Sequence, residues 1–189
     1  MRERYDRLAS EYDRRWAAYI GSSVRHTLAR LAIAPGEIVL DVGCGTGALR
    51  KQLGDAVTGI DLSEGMLARA RGARAAADAM ALPFGAQTFD AVTSTSSLHY
   101  WLEPILVLRE IRRVIKPGGR LVLTDWCDDY IACRVCDRLL RLRHGGGYVR
   151  AYGSRALERL IESAGYASVS VERYPVGWLW GLMTAVATA

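Results

Sequence analysis

The sequence predicts an α/β fold built on a parallel sheet, and three observations carry that reading. Short apolar runs such as Glu37–Asp41, Ala56–Ile60 and Arg120–Thr124 stop at a polar residue or a turn, as buried parallel strands do where they open into loops. Segments of helical periodicity stand between them, and that alternation implies right-handed crossovers. The chain has 189 residues, half of them from the set AVILMFWYC. That is enough for one domain with a continuous core and too few for two.

The elements follow in order. Tyr5 to Tyr19 reads as a helix, with Leu8, Tyr12, Trp16 and Tyr19 on one face. A second helix runs from Ser22 to Ile33 and ends at Pro35-Gly36. The first strand is Glu37–Asp41, a short helix covers Ala48–Leu53, and the second strand is Ala56–Ile60. Ser63 caps the next helix, with Glu64 in its first turn. Arg74–Ala77 and Phe89–Thr93 are the third and fourth strands, and Pro104–Val114 is a helix. The turn Pro117-Gly118-Gly119 leads into the fifth strand, Arg120–Thr124. Ser154–Ala164 is a capped helix closed by Gly165, and Val169–Arg173 and Leu179–Ala187 are the sixth and seventh strands. Trp126–Tyr152 breaks the alternation and reads as an insertion.

Lys and Arg total 25 against 20 Asp and Glu, a net charge of +5. Only Lys51 and Lys116 are lysines, and the basic residues are scattered, so the excess reads as arginine-rich codon usage rather than a nucleic-acid footprint. An anionic substrate stays open. The N-terminus is charged from its second residue and lacks the apolar core of a signal peptide. The apolar segment Val176–Ala189 is shorter than the ~20 residues a membrane span takes. The expectation is a soluble, cytoplasmic protein with no membrane partner and no nucleic-acid partner. Cys44, Cys127, Cys133 and Cys136 are then expected as thiols rather than a disulfide framework. Cys133-x-x-Cys136 has ligand-like spacing but no second pair, so core packing is the plainer reading and no metal is expected.

Three motifs carry chemistry. In Val39-Leu-Asp41-Val-Gly43-Cys44-Gly45-Thr46-Gly47 a buried strand opens into alternating glycines, which permit tight turns and close ligand approach. Gly43, Gly45 and Ala48 also satisfy a dinucleotide-binding pattern, so the loop alone does not choose a ligand. Asp61 ends the second strand, where a carboxylate accepts both hydroxyls of a ribose. Ala77-Asp78-Ala79-Met80-Ala81-Leu82-Pro83-Phe84 follows the third strand, and Phe89-Asp90-Ala-Val opens the fourth.

Taken in order, LDVGCGTG, GIDLSEGML, ADAMALPF, FDAVTSTSSLHYW and REIRRVIKPGGRLVLTD resemble the class I S-adenosylmethionine-dependent methyltransferases, strongly over Glu37 to Asp125. Among them the chain is most similar to the ubiquinone/menaquinone C-methyltransferase-like group. The resemblance implies a Rossmann-like seven-stranded sheet, mostly parallel with an antiparallel last strand and helices on both faces. It implies S-adenosylmethionine as cofactor, S-adenosylhomocysteine as product and a small-molecule acceptor. By the same resemblance Asp41 and the loop Gly43, Cys44, Gly45 and Gly47 would hold the methionine part. Asp61 would bind the ribose with Leu62 beside it. Asp78 would read the adenine amino group, flanked by Ala79, Met80 and Met66. Ser94 to Leu98 would form the loop after the fourth strand beside the reactive methyl, and Tyr12 would cover the cofactor.

An activated methyl needs alignment and exclusion of water more than a fixed catalytic triad. His99 is the candidate general base, the alternative being that Leu98-His99-Tyr100-Trp101 simply packs the following helix. Asp125 and His144 are further candidates, His144 lying beside a glycine run at 145–147 that reads as a hinge. In the insertion, Val135, Leu139 and Leu142 form one helix face and Arg134, Arg138 and Arg141 another. The expectation is a buried apolar face under a solvated basic one. Residues 1–33 are expected as a helical lid and 126–152 as a substrate cover. The competing functions are an NAD(P)-dependent oxidoreductase and a non-catalytic partner of the same fold.

Overall fold

A computed structural model describes residues 2–142, 147–176 and 178–189. One sheet holds seven strands: β1 (Val39–Val42), β2 (Val57–Asp61), β3 (Arg74–Ala76), β4 (Phe89–Thr95), β5 (Ile115–Trp126), β6 (Ala167–Pro175) and β7 (Gly181–Thr188). Their order is β3-β2-β1-β4-β5-β7-β6. The first five run parallel, and β7 lies antiparallel to both β5 and β6. The seven-stranded sheet with its antiparallel last strand is therefore as expected. The strand order turns back at the boundary of β1 and β4, which opens a crevice at their carboxyl ends.

The helices are α1 (Arg2–Leu8), α2 (Tyr12–Arg15), α3 (Ala17–Leu31), α4 (Arg50–Leu53), α5 (Glu64–Leu67), α6 (Pro104–Val114), α7 (Ile131–Leu142) and α8 (Ser154–Ser163). Alternate strand residues face opposite layers. Leu40, Val92 and Leu121 pack with Leu108 of α6 and Leu157 of α8, whereas Val39, Ala91 and Val122 pack with Leu31 of α3. Helices thus cover both faces of the sheet.

The N-terminal segment departs from its periodicity. One helix over Tyr5–Tyr19 was expected; three helical pieces occur, and the third begins at Ala17 rather than at Ser22. Distinct anchors explain the breaks. Asp6 binds Ser63 and Gly65, while Asp13 binds Thr46 and Lys51. α3 then belongs to the core through Leu31, which leaves α1 and α2 as the segment outside it.

The insertion corrects a second expectation. Val135, Leu139 and Leu142 are not buried; they are 52%, 57% and 74% exposed. The buried positions of α7 are Cys133 and Asp137. Asp137 accepts hydrogen bonds from the Tyr148 hydroxyl and the Ala151 N–H, both at 2.7 Å, so polar anchoring decides which face turns inward. Cys127 and Cys133 are buried free thiols. His144, Gly145 and Gly146 lie outside the described residues.

Candidate functional site

The site starts from the turn after β1. Gly43 and Cys44 both donate backbone N–H groups to the Ile60 carbonyl, at 2.8 and 2.9 Å, which pins the loop across the end of β2. Gly43 has φ +77°, and a Cβ there would stand 2.8 Å from the Ser97 Cβ, so only glycine fits. Asp61, at the last position of β2, accepts the Gly45 N–H at 2.9 Å on one oxygen and the Ser63 N–H at 2.8 Å on the other. Burial raises its pKa, and these N–H groups oppose the shift. A carboxylate has about four lone-pair sites, so Asp61 keeps acceptor capacity toward the cavity. Ser63 caps α5, its Oγ accepting the Met66 N–H at 3.1 Å.

A cavity of about 230 Å³ opens here. Tyr12, Gly43, Gly45, Asp61 and Leu62 line it, as do Met66, Asp78, Ala79 and Met80. Asp78 accepts the Met80 N–H at 2.9 Å, which fixes the turn that presents this stretch. A second hollow of about 60 Å³ shares Tyr12, Gly43 and Gly45 with the first and holds Asp41 and Cys44. Asp41 is 4% exposed, and among the described residues its carboxylate has no hydrogen-bond partner. Burial, with the nearby Asp61, pushes its pKa up to about 7.

Three expected site residues line neither hollow. Gly47 packs toward the turn after α5, where a Cβ would be 3.3 Å from the Ala70 Cβ. Ser94 is buried; its Oγ donates to the Val42 carbonyl at 2.8 Å and meets the Ser97 Oγ, tying β4 to β1. His99 is buried behind the wall, its Nδ1 2.6 Å from Asp125 Oδ1 and its ring stacked on Trp126 at 4.7 Å. The Trp126 N–H donates to the same Asp125 oxygen at 2.6 Å.

Several cavity residues went unread in the sequence. The Tyr5 hydroxyl donates to the Tyr100 hydroxyl at 2.7 Å, closing the cavity from above, and Trp101 and Leu102 line it. Burial raises the pKa of both tyrosines. The Tyr19 hydroxyl meets the Ser96 Oγ at 2.5 Å and accepts the Trp126 Nε1–H at 2.9 Å. The aromatic run after β4 was a visible signal for Tyr100 and Trp101. Tyr5 had none, since its contact spans 95 positions.

The profile of the methyltransferase domain family matches residues 40–123, which supply most of the lining of both hollows. The chain is 36% identical over 141 residues to a demethylmenaquinone methyltransferase of Renibacterium salmoninarum, covering 65% of this chain and 56% of that protein. It is 40% identical over 116 residues to an O-methyltransferase of Penicillium expansum, covering 53% and 42%. The chain spans about half the length of these curated relatives. In fold it matches an S-adenosylmethionine-dependent methyltransferase of Thermotoga maritima, with a TM-score of 0.82 over 100% of this chain and 99% of that one, at 20% identity. Residues 40–123 are similar to the methyltransferase domain family, and the fold is that of solved S-adenosylmethionine-dependent methyltransferases.

The site residues fit S-adenosylmethionine, the cofactor that the matched domain family implies. The fit rests on Asp41, a buried carboxylate without a partner among the described residues, which matches a ligand bringing a cation. The loop at Gly43 leaves room for backbone approach and none for a side chain. The glycine loop, Asp61 and Asp78 stand at the ends of successive parallel strands, on the side where open α/β sheets bind ligands.

Proposed function

We propose that the chain transfers the methyl group of S-adenosylmethionine to a small-molecule acceptor. The observation that carries the reading is one wall on which Asp41, Asp61 and Asp78 follow one another along two hollows joined at Tyr12, Gly43 and Gly45. In this reading Asp41 pairs with the methionine ammonium, Asp61 accepts the ribose hydroxyls, and Asp78 accepts from the adenine amino group beside Met66, Ala79 and Met80. The bound cofactor supplies a methyl already activated on a sulfonium. The protein's part is to orient the acceptor and exclude water.

α1 and α2 serve as the cover. Their anchors, Tyr5 to Tyr100, Asp6 to Gly65 and Asp13 to Thr46, ring the cavity mouth. Tyr148, 5.7 Å from the His99 ring and 6.3 Å from Tyr100, supports a reading in which the segment after β5 borders the acceptor. His99, oriented by Asp125, is the candidate base for an acceptor that must lose a proton. Among the described residues no helix is long and apolar enough to cross a membrane. The cytoplasm is the proposed compartment, on the buried free thiols Cys127 and Cys133.

Calorimetry with S-adenosylhomocysteine and NAD tests the cofactor. A turnover screen over phenols, quinols, amines and thiols with S-adenosylmethionine tests the reaction. Binding of NAD in place of S-adenosylhomocysteine would overturn the reading. Tight S-adenosylhomocysteine binding with no methylated product across the panel would favour a non-catalytic partner.

A further inference from the structure

Six of the twelve large apolar side chains exposed among the described residues gather at one place: Ile131, Val135, Leu139 and Leu142 on α7, with Trp178 and Leu179 between β6 and β7. The two segments touch, the Ala132 N–H donating to the Leu179 carbonyl at 3.1 Å. On α7 the apolar positions recur at i, i+4, i+8 and i+11, which makes one continuous stripe along the helix. The opposite face is held down by Asp137 and Cys133, so the stripe is turned outward by construction. A single exposed leucine needs no explanation, but a contiguous apolar face marks a contact surface.

Charge selects the occupant. Arg134, Arg138 and Arg141 form a row beside the stripe, and all three are exposed. Arg134 and Arg141 lie 3.6 and 3.5 Å from Asp128 and Asp137, while Arg138 has no charged partner among the described residues. Two copies meeting antiparallel on this face, about a two-fold axis perpendicular to α7, would bring the arginine rows together at one rim, where like charges repel. An anionic surface turns the same row into attraction. Trp178 is fully exposed at the tip of the turn, a residue type that favours the headgroup level of a bilayer.

We propose that the α7 stripe and the β6–β7 turn dock this protein on an anionic lipid surface. The apolar stripe enters the headgroup boundary, and the arginine row faces the phosphates. The expectation of no membrane partner rested on the lack of a spanning segment, and interfacial docking asks for none. This inference does not depend on the reaction the site performs.

Co-sedimentation with vesicles of phosphatidylcholine alone, or with 30 mol% phosphatidylglycerol (roughly a bacterial-like anionic content), tests it at low salt. Partition should be confined to the anionic vesicles and fall as salt is raised. Arg138→Glu should weaken partition about tenfold or more, since each basic residue near an anionic leaflet contributes roughly fivefold. Leu139→Ser should weaken it while the affinity for S-adenosylhomocysteine stays unchanged, which shows the fold intact. The blue shift of tryptophan emission on adding vesicles should shrink in Trp178→Phe. Equal partition to both vesicle types, or none to either, overturns the proposal. So does a concentration-dependent dimer that Leu139→Ser abolishes in protein that ignores vesicles.

Discussion

Asp6 on α1 accepts the Gly65 backbone N–H at 2.8 Å and the Ser63 hydroxyl at 2.6 Å, so one helix caps the start of another from 59 positions away. These two donors hold the Asp6 carboxyl below its usual range. The approach is close enough that a Cβ on Gly65 would stand 2.7 Å from the Asp6 Cα.

Gly65→Ala should therefore lift α1 from the cavity while leaving the sheet intact. With the cover no longer seated, S-adenosylhomocysteine should bind severalfold more weakly. Hydrogen exchange should show lost protection over Arg2–Leu8. An unchanged Kd with that protection lost would show that α1 is not a cover.

Asp41 gives binding a pH dependence of definite sign. Its pKa in the empty protein is raised to about 7, and an ammonium partner would lower it. Binding then prefers the ionised carboxylate, is full above pH 7 and weakens as pH falls below it, by up to about tenfold per unit. Asp41→Asn should bind about ten- to a hundredfold more weakly at pH 8 and show a flat profile. In the empty wild type the same shift makes stability fall as pH rises from about 4 to about 7. Asp41→Asn should remove that slope in a denaturant titration.

Asp61→Ala should weaken S-adenosylhomocysteine binding at least tenfold, because charge-assisted hydrogen bonds contribute ~1.5–3 kcal/mol each. Asp61 also holds the Gly45 and Ser63 N–H groups, so some loss of thermal stability should accompany it. Calorimetry on both the alanine and asparagine variants checks the split. An unchanged Kd in either would remove Asp61 from the ribose.

For Asp78 the ligand is the better variable. S-inosylhomocysteine has a carbonyl where adenosine has an amine, and an acceptor at Asp78 would repel it. It should bind much more weakly than S-adenosylhomocysteine to the wild type, and the gap should narrow in Asp78→Ala. Equal affinities for the two compounds in the wild type would place the adenine elsewhere.

His99→Gln separates a proton-transfer role from packing. A base role predicts a fall of about 10²–10⁴ in kcat, with the acidic limb of the kcat profile gone. Asp125→Asn should follow it partway, since Asp125 orients the ring at 2.6 Å. A lower Tm with an unshifted pH profile would assign the pair to the scaffold.

Strand identities and the turns that line the two hollows were legible because both are local. A buried run ending in glycine or aspartate announces itself within a few residues, as at Asp41 and Asp61, whereas the strand before Asp78 is short and mostly exposed. The Ser63 cap was legible for the same reason. What failed was relational. Periodicity showed that α7 is two-sided but not which side faces in, because the deciding contacts, Asp137 with Tyr148 and Ala151, are made in space. The breaks after Leu8 and at Trp16 follow from anchors on distant loops, and no propensity signal marks them. Tyr5 was invisible because its partner is Tyr100.

The place of β7 has a consequence for how the chain is made. It follows β6 in sequence yet lies between β5 and β6, pairing with both. Until residues 181–188 leave the ribosome, β6 has no neighbour and the β5 edge stands open. At roughly 5–20 residues per second, that interval lasts on the order of a second. During it the nascent sheet offers two unpaired edges to any other strand nearby. A translational pause placed between Pro175 and Gly181 should therefore lower soluble yield more than the same pause placed after Thr188.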